Sequence, residues 1–141
     1  MNDEGLQAAA AQVDVVLDCT DNFSSRFAIN RACVAARSPL VSGAAIRFEG
    51  QLGVFDPAHG SACYACLYPS AGAEQESCEE AGILGPVVGV VGVRQALVAL
   101  KLLLGLNQDA GTLWVWDALN DRERRMQIPR DPECPVCANK P

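Results

Sequence analysis

The sequence predicts an α/β fold, and three observations carry that prediction. A compact apolar run over residues 13–19 is followed by a helical stretch and then a second apolar run over 40–45. That is the spacing of a βαβ unit. Two late segments, 112–118 and 124–128, are short, strand-like and joined by Asn120-Asp121, which marks a turn. Half of the 141 residues are apolar and a fifth are charged, enough to bury a core and too ordered a balance for a disordered tail.

Each element has its own warrant. Asn2 with Asp3 and Glu4 opens a short alanine-rich helix over 2–12, because a capping side chain and early acids satisfy the free N–H groups. Gly5 weakens it. The run 13–19 (VDVVLDC) is broken only by Asp14 and Asp18 and is expected to be a strand buried on both faces, as in parallel sheets. A helix over 24–37 follows, capped by Ser24 or Asn22 and stopped at Ser38-Pro39. Residues 46–56 alternate apolar and polar around Glu49-Gly50, which predicts an antiparallel hairpin or a bent strand. The stretch 57–81, rich in Pro, Gly, Ser and Ala, is expected to be a long loop with a metal knuckle. Pro86 then opens an apolar helix to Leu104, with Gly105 just past its end. Gly89 and Gly92 within it cost about 1 kcal/mol each against Ala.

Charge and composition exclude several classes. Eleven Lys and Arg against seventeen Asp and Glu give a net charge of −6, so nucleic acid is not the expected partner. The apolar runs are short and interrupted, Ala96 to Leu100 ending at Lys101, so no membrane span is expected. Met1-Asn-Asp-Glu does not open like a signal peptide. A cytoplasmic location is the expectation.

Seven cysteines stand at 19, 33, 63, 66, 78, 134 and 137. An odd number without a secretory start argues against a disulfide framework. Cys63/Cys66 and Cys134/Cys137 form two Cys-x-x-Cys pairs, and two such pairs make a closed tetrahedral zinc site. Redox pairs or reduced bystanders are the alternative, though neither pair begins a helix beside a strand. Cys19 and Cys33 are expected to pack as small hydrophobes. Cys78 lies among Glu74, Glu76, Glu79 and Glu80, whose charges disfavour a thiolate. His59, the one histidine, has no evident partner and is expected on a surface loop. Asp21 and Asn22 fall where a parallel strand ends and its helix begins, the edge at which open α/β sheets bind ligands. Asp21 there can hold Mg²⁺ on a nucleotide phosphate and Asn22 can bond phosphate or sugar. Both can also merely cap the helix.

Five linked motifs carry a resemblance: Asp18-Cys-Thr-Asp-Asn22 with Arg26 and Asn30, the stretch 41–51, Cys63-Tyr-Ala-Cys66, the stretch 81–89 with Gln95-Ala-Leu97, and Cys134-Pro-Val-Cys137. In this order they resemble the ubiquitin-activating-like adenylyltransferases of sulfur-carrier pathways, of the molybdopterin-synthase or thiamine sulfur-carrier type. The resemblance implies a Rossmann-like sheet with an antiparallel extension and a four-cysteine zinc knuckle. It also implies a homodimer that uses ATP with Mg²⁺ to adenylate the C-terminal glycine of a ubiquitin-like sulfur-carrier protein. Asp21 and Asn22 match ATP-contacting positions, and Cys63, Cys66, Cys134 and Cys137 match zinc ligands. Cys78 matches a position that some members use for a thioester or persulfide link.

One departure is large. The Gly-rich strand–turn–helix that cradles the nucleotide in this family has no counterpart here. Residues 1–141 are therefore expected to be the carboxy-terminal portion of a single adenylyltransferase domain, inactive alone, with an unpaired apolar edge at 13–19. The alternative is a non-catalytic, zinc-stabilised module for carrier binding or dimerisation, for which 46–56 could supply an edge. A generic dinucleotide-binding fragment would need a Gly-x-Gly-x-x-Gly fingerprint that is absent.

Overall fold

The computed structural model describes residues 2–69, 82–106 and 108–138. Helix α1, Asp3–Ala10, begins as expected, with Asn2 Oδ1 accepting from Gly5 N at 2.9 Å. Strand β1, Val16–Asp18, is shorter than the predicted run, starting at 16 rather than 13. The reason is pairing: Val16 N donates to Pro39 O at 2.9 Å and the ladder runs Val16↔Leu40 to Asp18↔Ser42. Among the described residues β1 has this single neighbour. The expectation of burial on both faces also fails, since Leu17 is 41% exposed and Val13 47%.

Helix α2, Phe23–Ala36, is capped by Asn22, whose Oδ1 accepts from Ser25 N at 2.8 Å. It ends at Arg37 in the left-handed region (φ 58°). Ser38 Oγ then donates to Ala10 O at 2.7 Å, fastening α1 beside α2. Strand β2, Leu40–Ile46, turns directly into β3, Glu49–Phe55. The hairpin therefore turns at Arg47-Phe48, two residues before the predicted Glu49-Gly50. A two-residue hairpin loop needs a positive φ at its first position, and Arg47 adopts 52°. Within the predicted long loop the chain forms a 3₁₀ turn, Pro57–His59, and a one-turn helix α3, Tyr64–Leu67.

Helix α4, Gly85–Leu103, has Pro86 in its first turn as predicted. Strands β4, Thr112–Asp117, and β5, Arg122–Gln127, close the sheet. Their turn is tied by Asp117 Oδ1, which accepts from Leu119 N at 3.1 Å and Asn120 N at 3.2 Å. The described sheet runs β1-β2-β3-β4-β5, with β1/β2 parallel and every later pair antiparallel. This is the expected partial Rossmann-like sheet with its antiparallel extension.

Alternation along the strands divides the core between two faces. Leu40, Phe55, Leu113 and Val115 meet Cys33 of α2 and Tyr64 of α3. Val41, Leu52, Val54 and Trp114 meet Val91 and Val98 of α4. Each such side chain contributes roughly 1.5–3 kcal/mol on burial. At the far end of α4, buried Asp109 takes an ion pair from Lys101 and another from Arg125 Nη2 at 2.6 Å. Burial pushes the Asp109 carboxyl up, but the hydrogen bond from Lys101 and the Arg125 charge win and hold it below its ordinary value.

By length and mean hydropathy, 1.6, α4 is apolar enough to cross a bilayer, which the interrupted runs of the sequence concealed. Its inner face lies on the sheet through Val87, Val91 and Val98. Its outer face leaves Val90, Val93, Leu97, Leu100 and Leu104 exposed, Val93 by 74% and Leu97 by 58%.

Candidate functional site

Two constellations stand out, one at the α3 corner and one at the carboxyl ends of β1 and β2. At the corner, Cys63 precedes α3 and Cys66 lies in it, while Cys134 and Cys137 come from the final described turns. Cys66 N donates to Cys63 O at 3.0 Å, and Ala138 N to Cys134 O at 3.0 Å, so each pair sits on a tight turn. The four Sγ atoms all lie within 4.8 Å of one another. Cys63 Sγ is 3.7 Å from Cys134 Sγ, and Cys66 Sγ is 3.5 Å from Cys137 Sγ. Four sulfurs about 2.3 Å from a central ion stand about 3.8 Å apart by tetrahedral geometry, so the cluster fits a four-thiolate metal site. A disulfide needs about 2.05 Å, and the four sulfurs are instead mutual neighbours, across the pairs as well as within them. That is a cage and not two redox dithiols.

The cage has an outer layer. Buried Asn30 accepts from Tyr64 N at 2.9 Å and donates through Nδ2 to Cys63 Sγ at 3.6 Å. Arg130 Nη2 donates to Cys137 O at 2.8 Å. Burial pushes the Cys63 thiol up and raises the Cys137 thiol to about 11. At Cys134 burial acts the same way, but N–H groups of Cys137 and Val136 outweigh it and the thiol falls below its ordinary value. A buried cage of this kind is poorly stable as four thiolates without a cation to compensate them.

At the strand ends, a buried carboxylate organises the turn. Asp18 is 1% exposed. Its Oδ1 accepts from Thr20 N at 2.9 Å and Thr20 Oγ1 at 2.7 Å, and its Oδ2 from Ser42 Oγ at 3.0 Å. From α2, Arg26 Nη2 donates to Thr20 O at 2.6 Å. The network leaves Asp21 exposed at the tip, its Oδ1 accepting from Asn22 Nδ2 at 3.1 Å. Asn22 is thus the helix cap through Oδ1, while the Asp21 carboxylate faces solvent.

Asp21 and Arg26 line two adjoining cavities. One, of about 70 Å³, is walled by Asn22, Glu49, Gln51 and Tyr68. Tyr68 donates to Gln51 Oε1 at 3.0 Å and Gln51 to Glu49 Oε1 at 2.6 Å, stiffening that wall. The other, of about 200 Å³, opens toward α4 beside Cys19, Gly43 and Gln95.

Several expectations need correction. Cys19 does not pack in the core: β1 ends at Asp18 and Cys19 is exposed at the cavity rim. Cys33 does pack there, and burial, with the Asp18 charge behind it, raises its thiol to about 12. His59 lies at the surface as expected but has a partner, its Nδ1 standing 2.7 Å from Asp56 Oδ2. That pair sits at the opposite end of the sheet from Asp21, because Asp56 follows Phe55, which pairs with Leu40. Cys78 lies outside the described residues. Tyr68 carries no local signal in the sequence, whereas Gln51 closes the 41–51 motif and Asp18 breaks an apolar run.

A two-faced α/β sheet with an acid at the carboxyl ends of its parallel strands defines a class of ligand-binding domain, here with a four-thiol cage added. Within that class the chain belongs to the ThiF family, whose profile matches residues 1–136. It is 46% identical over 134 residues to the sulfur carrier protein ThiS adenylyltransferase of Escherichia coli (strain K12), covering 95% of this chain and 53% of that protein. It is 45% identical over 138 residues to the molybdopterin-synthase adenylyltransferase of the same strain, covering 97% of this chain and 55% of that protein. The chain therefore spans about half the length of these relatives. Among solved structures, Escherichia coli MccB with ATP superposes with a TM-score of 0.77 at 19% identity, covering 99% of this chain and 44% of that one. The heterocyclase TruD gives 0.68 at 15% identity, covering 96% and 25%. These two show a shared fold.

Proposed function

We propose that the chain is the carboxy-terminal portion of a single adenylyltransferase domain. The whole domain would use ATP with Mg²⁺ to adenylate the C-terminal glycine of a ubiquitin-like sulfur carrier of the thiamine or molybdopterin type. The observation that carries this reading is Asp21, held at the strand ends by the Asp18–Thr20–Ser42–Arg26 network, in a chain 46% identical to a ThiS adenylyltransferase.

In that reading the carrier carboxylate attacks the α-phosphorus of ATP, pyrophosphate leaves, and an acyl-adenylate forms. Bound Mg²⁺ would supply charge neutralisation on the phosphates, and Asp21 would hold it. Asn22, its Oδ1 committed to the α2 cap and one Nδ2 hydrogen given to Asp21 Oδ1, would donate the other Nδ2 hydrogen to phosphate or sugar. Cys63, Cys66, Cys134 and Cys137 would hold a structural Zn²⁺, which soft thiolates in a tetrahedral set select. Cys78 is proposed as the residue that links to the carrier, its thiolate displacing AMP from the acyl-adenylate to give a thioester, or forming a persulfide link where a separate sulfane-sulfur donor supplies the outer sulfur.

Topology supports the need for an upstream half. Helix α1 lies on the same face as α2. Crossovers between parallel strands are right-handed, so a strand preceding α1 would lie beside the free edge of β1. An apolar groove of about 340 Å³ lined by Leu6, Val13, Val15 and Ile29 awaits cover there. For these reasons residues 1–141 are proposed to be inactive alone. The exposed Val90, Val93, Leu97, Leu100 and Leu104 alternate three and four apart, the spacing of a helix seam, and support a homodimer. A cytoplasmic location is part of the same reading.

The test is ATP–pyrophosphate exchange with a carrier and Mg²⁺. The reading expects none from the 141-residue chain and exchange from a version extended upstream. The exposed α4 seam also favours a second reading, a non-catalytic docking or dimerisation module. Carrier binding indifferent to Asp21→Ala, without nucleotide binding, would select it.

A further inference from the structure

The sheet-facing side of α4 is Val87, Val91, Val98 and Ala99, interrupted by one polar residue, Gln95, which is 3% exposed. A buried amide is costly unless its donors and acceptor are satisfied, and here all are. Nε2 donates to Asp18 O at 2.9 Å and to Val41 O at 3.1 Å, while Oε1 accepts from Cys19 Sγ at 3.5 Å. Asp18 pairs with Ser42, the neighbour of Val41, so the two carbonyls stand side by side at the last rung of the parallel pair. Room for the amide comes from Gly43: a Cβ there would fall 2.5 Å from Gln95 Cδ and Oε1.

We propose that Gln95 is a positioning residue that fixes, through the Asp18 carbonyl, the turn presenting Asp21. This rests on Asp21 facing Mg²⁺ and the nucleotide. Arg26 grips the turn at Thr20 O from the α2 side, and Gln95 grips its root from the α4 side. The α4 end of the clamp is itself anchored. Arg47 N donates to Gly82 O at 2.9 Å and Leu84 N to Arg47 O at 3.1 Å, tying the entry of α4 to the β2–β3 turn. Asp21 is thereby set by a helix 77 residues downstream of Asp18, and not by its own loop alone.

Gln95→Met keeps the shape and removes the amide; Gly43→Ala displaces the amide and leaves Gln95 in place. In the 141-residue chain, both are expected to speed hydrogen exchange at the Thr20 amide, which donates to Asp18 Oδ1, by about tenfold, roughly one hydrogen bond's worth. Exchange in β4 should stay within about twofold. In the upstream-extended chain, Gln95→Met should raise the Mg²⁺ concentration for half-maximal pyrophosphate exchange by about tenfold, with the carrier KM unchanged. Simple loss of folded protein would lower the maximal rate and leave that midpoint alone. Unchanged Thr20 protection in both variants overturns the clamp, and an unchanged Mg²⁺ midpoint overturns its action on Asp21. No exchange from the unsubstituted extended chain would overturn the adenylation reading and the role of Gln95 within it. The clamp on the turn would then stand or fall by the amide rates.

Discussion

The cysteine corner and the β1–α4 side are built on opposite plans. At the corner the packing closes on itself: four sulfurs face one another, Asn30 and Arg130 bond the cage from outside, and Val34 and Ala65 pack against it. On the other side β1 has one neighbour among the described residues, Leu17 and Val13 face outward, and the outer face of α4 is apolar and uncovered. The catalytic candidate Asp21 sits on the unfinished side.

Substitutions that break the closed corner should have the largest effect on stability. Cys134→Ala removes a ligand, and a strong zinc chelator removes the ion, from the proposed zinc site, where metal affinity would be folding energy. A loss of several kcal/mol is expected, seen as a large fall in Tm. About one zinc per chain in the untreated protein, by elemental analysis, is the companion result.

Next comes Asp109, which ties the far end of α4 to β5. Asp109→Ala leaves Lys101 and Arg125 facing each other without their buried acid. About 2–3 kcal/mol is expected, less than for a fully buried pair because Arg125 is half-exposed. The same carboxyl predicts a pH trend. Its folded pKa lies below the unfolded value, so its contribution is present above the ordinary carboxylate range and is lost as pH falls through the depressed value. Denaturant midpoints below pH 4 should therefore fall less steeply in Asp109→Asn than in the unsubstituted chain.

On the open side, Leu97→Glu with Leu100→Glu should leave the fold intact, since both side chains are already exposed. Light scattering should report conversion of a dimer to a monomer, and an unchanged mass would remove the α4 seam from the account. Smallest in stability and largest in consequence is Asp21→Ala. An exposed acid outside the cap costs within about 0.5 kcal/mol, while pyrophosphate exchange by the extended chain should disappear.

What the sequence made legible follows the same division. The cysteine cage could be anticipated because Cys-x-x-Cys is a local geometry and tetrahedral coordination needs two of them. Asn22 and Asp21 were legible as strand-end residues because the βαβ spacing fixes where that edge falls. The sequence alone left open which of the two caps the helix; the geometry divides the roles. Cys19 closes an apolar run over 13–19 that reads as one strand, but strand length depends on a pairing partner and the ladder ends at Asp18. The hairpin turn was displaced because Arg47, not glycine, takes the positive φ. Asp56 beside His59, and Gln95 against Asp18 and Val41, are contacts that no local pattern announces.

The most direct measurement is ATP–pyrophosphate exchange with a ubiquitin-like sulfur carrier and Mg²⁺, comparing the 141-residue chain with one extended upstream. The account predicts exchange by the extended chain alone, abolished by Asp21→Ala. Exchange by the 141-residue chain on its own, or extended-chain exchange that survives Asp21→Ala, would contradict it.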